Sequence, residues 1–366
     1  MLEFSFFVGE AAGGCGADSE WRDPTVCRCF IVPAEVLDRL SRDPQLTEAE
    51  RQRYADMVNL EKHWRKARSL HAPAAALAAK TLSSNAAVAA QPAITVYDCK
   101  HGTTLPGAPV ANPATAADAT AKRAAVETAA VADFYKQAFG RNSVDNLGMT
   151  LMSSIHYGVG YNNAFWNGSQ MTYGDGDGNI FIDFTQGNDV IGHELTHGVT
   201  QFTAQLNYAN EPGGLNESIS DVFGSMFRQW RGKQAVTQAD WLIGRDIMGP
   251  GAIARGYTCL RDMAKPDATH CLAPQPTHYT QYKKGMDPHL SSGIPNLAFY
   301  RAAMAIGGNS WEKAGKIWYQ ALTGAASPNL SMKSFATRTR TAAKTLFAST
   351  PAIATAVDQA WKSVGL

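Results

Sequence analysis

The chain has 366 residues, of which 45% are hydrophobic and 18% charged, with a formal net charge of +1. That length supports two lobes with substantial cores. The near-zero charge excludes partners held by bulk electrostatics, such as nucleic acid or an anionic membrane surface, and no apolar run approaches the ~18 residues that a spanning helix needs.

The chain begins MLEFSFFVGEAAGG, an apolar start that carries Glu3 and neither Lys nor Arg, which makes a poor secretory signal. Six cysteines point instead to an oxidising destination, so an extracellular location is expected, with a cytoplasmic or non-classically exported protein as the alternative. Cys259 and Cys271 bracket a short Pro-containing loop that a disulfide would close, whereas Cys27 and Cys29 are too near to pair without strain.

Residues 1–75 read as a separate N-terminal segment, with a Pro-started apolar helix in CFIVPAEVLDRL followed by a charged helix. An Ala-, Ser- and Leu-rich tract, read as a linker or else as a short Ala-rich helix, runs to about residue 92. Residues 85–204 then read as an α+β lobe, with short strands at Ile94–Tyr97, Ile155–Tyr157 and Asn179–Phe184 and a helix from about Ala116 to Phe139. GDGDG (174–178) lacks the Gly and the Glu of a calcium loop at Ile180 and Gln186, and reads as a turn between strands.

From Asn188, a good N-cap, the pattern turns helical, and residues 205–366 form a helical lobe. Ile219, Val222, Phe223, Met226, Phe227 and Trp230 recur at helical spacing, and further helices are expected at Ile294–Ile306, Trp311–Leu322, Met332–Phe347 and Ile353–Val364. A strand-rich lobe against a helical one leaves a cleft between them.

His193-Glu194-Leu195-Thr196-His197 carries the chemistry. The spacing puts both imidazoles on one helix face, where neutral nitrogens bind one catalytic Zn2+ and leave a position for water. Glu194 sits close enough to take a proton from that water. Twenty residues past His197, Glu217 and Asp221 share a face at i, i+4. One carboxylate completes a His2Glu set while the other accepts the free N–H of a ligand imidazole. The bland alternative is a pair of core histidines and a solvated acidic turn.

NNAFWNGSQM (162–171), YGDGDG (173–178), HELTHGVTQFTA (193–204), GGLNESISDVFG (213–224) and SSGIPNLAFYRAA (291–303) resemble the thermolysin-type neutral zinc metalloproteases, from about Tyr97 to the C-terminus. The resemblance implies a two-lobed α+β endopeptidase of protein and peptide substrates, with His193, His197 and Glu217 on the metal and Asp221 and Asn216 behind them. It implies Glu194 as general base, with Tyr208 and His289 stabilising the oxyanion. It further implies Asn163, Ala164 and Trp166 as the edge that holds extended substrate, and Arg261 as the grip on a substrate carbonyl. Phe181, Phe184, Val190, Ile243, Ile247 and Leu260 match the wall of the pocket after the scissile bond, so cleavage before Leu, Ile, Val or Phe is expected.

Two departures from the family pattern stand out. Where the family holds its equivalent of His289 with an aspartate, this chain has Lys284, leaving Asp287 as the nearest carboxylate. At the family's double calcium site the positions are Asp189, Arg228, Asp240, Leu242 and Arg245, so that site is expected to be replaced by Arg–Asp pairs. CFIVPAEVLDRL resembles the short prosegment of protealysin-like members, although Pro33 is followed by Ala34 where two prolines are the marker. Residues 1–75 are therefore expected to act as an intramolecular inhibitor lying in the cleft and cut in the linker. A sharper version has Cys27 or Cys29 ligating the zinc. Two other classes stay open: a binding or adhesion protein on a protease scaffold, opposed by the intact Glu194, and an intracellular protease controlled by a proteinaceous inhibitor.

Overall fold

A computed structural model describes residues 29–71, 91–325 and 327–366. Cys27 and most of the Ala-rich tract lie outside the described residues. The strands are β1 (Cys29–Phe30), β2 (Ile94–Asp98), β3 (Ala108–Pro109), β4 (Leu151–Ile155), β5 (Ala164–Trp166) and β6 (Met171–Tyr173), followed by the pair β7 (Leu242–Ile243) and β8 (Arg261–Asp262). The first six form one sheet in the order β1-β5-β6-β4-β2-β3. β4 pairs in parallel with both β2 and β6, and the other neighbours are antiparallel.

Two strand expectations need correction. β4 ends at Ile155 because His156 turns into the left-handed region at φ +52°. Asn179–Phe184 forms no strand: Asp177 Oδ1 accepts the backbone N–H of Asn179, Ile180 and Phe181 at 2.9, 2.9 and 3.2 Å, which winds the chain into a turn. Only an isolated bridge, Phe181 to Met248, survives.

The helices are α1 (Ala34–Ser41), α2 (Glu48–His71), α3 (Ala119–Phe139), α4 (Asn188–Gln201), α5 (Asn210–Arg231), α6 (Pro250–Ala254), α7 (Pro288–Ser291), α8 (Gly293–Ile306), α9 (Ala314–Thr323), α10 (Met332–Leu346) and α11 (Pro351–Lys362). Asp118 caps α3 by accepting from Thr120 and Ala121, and Gly140 closes it in the left-handed conformation. Asn188 is not the cap of α4; it is the first helical residue, and Gly187 precedes it in extended backbone. A Cβ on residue 187 would meet Val190 at 2.8 Å, so the helix starts where the chain packs tightly against its own first turn.

Helices α4 and α5 cross closely because both carry glycine at the contact. A Cβ on Gly192 would come within 3.1 Å of the Gly224 Cα, and one on Gly224 within 2.5 Å of the Asp189 carbonyl. That approach brings the two helices' polar residues face to face. On the other side of α5, Ile219, Val222, Phe223, Met226 and Phe227 are buried as their spacing predicts. Behind them, Trp318 stacks on Trp361 with ring centroids 5.9 Å apart, both indoles fully buried.

The N-terminal segment packs onto both lobes. Val36, Leu37 and Leu40 bury the apolar face of α1. Tyr54 donates to Asp177 at 2.5 Å, Asn179 donates to Glu50 at 2.9 Å, and Arg255 pairs with Asp43 at 2.6 Å. Arg39 also donates to the Leu272 carbonyl. The expected disulfide is not formed: Cys259 and Cys271 are free thiols with their sulfurs 3.7 Å apart, well beyond the ~2.05 Å of a covalent bond. Among the described residues no helix is long and apolar enough to cross a membrane.

Candidate active site

Helix α4 presents His193 and His197 one turn apart, and α5 places Glu217 opposite them. The two Nε2 atoms are 3.0 Å apart, with Glu217 Oε2 3.4 Å from that of His193 and Oε1 3.5 Å from that of His197. All three residues are buried. Their outer atoms are committed elsewhere: His193 Nδ1 to Asp221 at 2.9 Å, and His197 Nδ1 to Asn216 at 2.9 Å and Ser220 at 3.1 Å. The inner faces thus turn lone pairs toward a common point. The three ligand atoms lie within 4.8 Å of one another, and their separations approach the ~3.4 Å edge of a tetrahedron with 2.0–2.2 Å bonds. The donor set fits zinc. Cys29 is not part of this group.

Asp221 is gripped by Arg261 through Nε at 2.8 Å and Nη2 at 2.7 Å, and by Asn296 at 2.9 Å. Burial opposes its charge, yet Arg261 and His193 hold its carboxyl well below the usual range. Glu217 is likewise held far below, since the imidazoles around it, His289 foremost, outweigh burial. Burial draws His197 down to about 3, whereas Asp221 and Glu217 overcome burial at His193 and lift it to about 9. A cation in place of the ring proton would suit this excess of carboxylate charge.

Glu194 is fully buried beside the cluster. Its Oε2 accepts from the Trp166 backbone at 2.8 Å while Oε1 has no hydrogen-bond partner, and burial pushes its pKa up to about 8. On the far side Tyr208 donates to Glu217 Oε1, and its hydroxyl is 3.3 Å from His289 Nε2. Asp287 resolves the departure at Lys284: as N-cap of α7 it accepts from the His289 backbone at 2.8 Å and meets His289 Nδ1 at 2.8 Å. Burial would neutralise His289, but Glu217 and Asp287 raise it to about 9.

The expected substrate-holding residues are all occupied by the N-terminal segment. β1 pairs antiparallel with β5, Cys29 opposite Trp166 and Phe30 opposite Phe165. Ile31 N donates to the Ala164 carbonyl at 3.2 Å, Val32 N to Asn163 Oδ1 at 3.0 Å, and Asn163 Nδ2 to the Val32 carbonyl at 3.3 Å. Arg261 Nη1 donates to the Ile31 carbonyl at 2.9 Å, and His289 Nε2 lies 2.5 Å from the Phe30 carbonyl. Phe181, Phe184, Val190, Ile243, Ile247 and Leu260 are fully buried in the same apolar cluster as Phe30, Ile31 and Val32.

At the position of the family's calcium site, Arg228 pairs with Asp246 at 2.8 Å, Asp189 at 3.5 Å and Asp240 at 3.7 Å, and Arg245 pairs with Asp240 at 2.8 Å. The expected Arg–Asp pairing is present. Asp246 is a partner that the sequence reading did not name. Ser220 and Asn296 were also missed, since nothing local marks either as reaching His197 or Asp221.

A family model described as the thermolysin metallopeptidase catalytic domain matches residues 65–201, and one described as its alpha-helical domain matches residues 204–366. An extracellular metalloprotease of Pectobacterium carotovorum subsp. carotovorum is 46% identical over 64% of this chain and 69% of its own length. Protease PrtS of a Photorhabdus species is 41% identical over 74% and 76% of the two chains. The solved precursor of protealysin, a metalloproteinase from Serratia proteamaculans, superposes with a TM-score of 0.78 at 37% identity, covering 92% of this chain and 99% of that one. The chain belongs to the thermolysin family of neutral zinc metalloendopeptidases. Within it, the likeness to the protealysin precursor covers 92% of this chain, so it extends into the N-terminal segment.

Proposed function

We propose that this endopeptidase cuts peptide bonds on the N-terminal side of hydrophobic residues and is held latent by residues 1–75 until they are cut away in the Ala-rich linker. The observation that carries this reading is the convergence of His193, His197 and Glu217 on one point, with the unpartnered Glu194 Oε1 beside it. When bound there, zinc supplies Lewis acidity that polarises both water and a peptide carbonyl. Glu194 takes the proton of the attacking water and delivers it to the leaving nitrogen, so water adds across the C–N bond. The Tyr208 hydroxyl and the His289 Nε2–H donate to the carbonyl oxygen as it gains charge.

Arg261 holds the carbonyl of the residue after the cut, and Asn163 and Ala164 pair with extended backbone, as strand addition requires. The six apolar wall residues favour an aliphatic or aromatic side chain directly after the scissile bond. Residues 30–32 make these same contacts, which supports their acting as a pseudosubstrate, with Ile31 in the position that follows the cut. We propose further that the Arg228 network replaces calcium, and that the protein acts outside the cell, as the name of its Pectobacterium relative says of that protein.

Casein hydrolysis by the matured wild type and by Glu194→Gln, with and without 1,10-phenanthroline, tests the reading. Activity should vanish on chelation and fall at least ~1000-fold in the variant while zinc stays bound. Zinc bound in both with activity in neither would favour a binding module.

A further inference from the structure

Cys259 and Cys271 face each other across an isolated parallel bridge, both buried, in the loop on either side of β8. Cys259 Sγ lies 3.7 Å from Cys271 Sγ and 3.7 Å from His270 Nδ1, and the ligand atoms of all three residues fall within 4.8 Å of one another. A tetrahedron with metal–sulfur bonds of ~2.3 Å and metal–nitrogen bonds of ~2.0–2.1 Å has edges of ~3.6–3.8 Å, so both separations match it. The cluster shares no residue with the His193 site.

The imidazole is prepared for such a role. His270 Nε2 lies 3.3 Å from Asp262 Oδ2, and the other oxygen of that carboxylate is fixed by the backbone N–H groups of Ala264 at 2.8 Å and Lys265 at 3.0 Å. A carboxylate near Nε2 favours the ring proton on that side, which leaves Nδ1, shared by Thr258 Oγ1 and Cys259 Sγ, as the ligand atom, with a carboxylate behind the ring as metal-bound histidines commonly have. A disulfide would make no use of it. Thr258 Oγ1, 2.8 Å from Nδ1, borders the same point.

We propose that Cys259, His270 and Cys271 form a second metal site that takes zinc through two thiolates and one imidazole, with water in the fourth position. Binding releases the two thiol protons. The ion would staple the two runs that flank the substrate-grip residues: Leu272 N donates to the Cys259 carbonyl at 2.9 Å, and Ala273 N to the Leu260 carbonyl at 2.9 Å. Arg261, between them in the loop, would be steadied in its hold on Asp221.

The test uses the full chain carrying Glu194→Gln, so that it cannot digest itself. Zinc content should fall by one equivalent per chain on adding Cys259→Ser and Cys271→Ser together. The cobalt-substituted parent should show a thiolate-to-cobalt charge-transfer band that the double variant lacks. If the double variant does not fold, His270→Ala, at a half-exposed position, should lose the same equivalent and the same band. Equal zinc content with no such band in the parent overturns the site. So does a parent mass two hydrogens light with neither Cys259 nor Cys271 alkylated, since the pair is then a disulfide.

Discussion

In the proposed mechanism His289 would donate to a substrate oxygen only while its Nε2 carries a proton, and Asp287 acts on that proton from the opposite side of the ring. With Asp287 at 2.8 Å from Nδ1 and Glu217 nearby, His289 is raised from the ordinary histidine value to about 9. The proton is therefore held below the ordinary value and through neutrality, and is lost as pH rises through about 9. Asp287→Asn should lower kcat/KM by up to ~100-fold and move the alkaline limb of its pH profile toward neutrality, while zinc content stays unchanged. An identical limb in the variant would leave Asp287 a mere helix cap. This residue also marks a limit of sequence reading at this scale. His193, His197 and Glu194 were legible because one helix turn fixes their relation before any tertiary contact forms. Asp287 was legible only as the nearest carboxylate, although its contact with His289 two residues on is local: it caps α7 ahead of Pro288, a signal that the Asp-Pro-His run carries.

At the scale of elements, the pairing of β1 with β5 lays the N-terminal segment along the edge that the proposed function gives to substrate. The Pro33-started helix and the charged helix after it were readable from capping and periodicity, but their docking surface was not, since Tyr54, Glu50 and Asp43 meet partners more than a hundred residues away. Asn179–Phe184 shows the opposite failure: its apolar residues suit a strand, yet the Asp177 side chain captures the backbone first. Ile31 is fully buried, with its backbone held by Ala164 and Arg261, so a carboxylate on its side chain would be desolvated. Ile31→Asp should therefore release latency, raising peptide hydrolysis by the uncut chain by ~10-fold or more, read against intact mass to show that the linker is whole. An unchanged rate would mean that α1 and α2 alone hold the segment.

A second element-scale link is His156, at the end of β4, with Nδ1 2.8 Å from Asp175 and Nε2 2.9 Å from Asp118, the cap of α3. Hydrogen bonds to Asp175 and then Asp118 outweigh burial and raise it to about 9. Its stabilisation is thus full below the unfolded value near 6.5 and disappears as pH climbs through about 9. After a discount for partial exposure, the gain is about 1–2 kcal/mol. The Tm difference between the parent and His156→Gln should shrink between pH 6.5 and 9.5. A constant difference would assign the loss to packing.

Across the whole molecule, Arg228 ties the helical lobe to the start of α4, where the proposed function has its ion pairs stand in for calcium. Asp189 lies in the first turn of the zinc helix, fully buried, with one oxygen accepting from Gly244 N at 2.6 Å and the other 3.5 Å from Arg228. Burial raises its pKa, and Arg228 is the charge that opposes this. Removing the guanidinium leaves a buried carboxylate without its partner, which costs about 3 kcal/mol when a paired charge is orphaned in this way. Arg228→Met in a Glu194→Gln background should therefore lower Tm by several degrees at pH 7. The deficit should narrow as acid protonates Asp189. With zinc kept saturating, removing or adding calcium should leave the parent's Tm unmoved, because the arginines occupy the positions where calcium ligands would have to be. A zinc-loaded parent that loses stability on calcium removal and regains it with calcium, an effect absent in Arg228→Met, would place an ion at this locus after all.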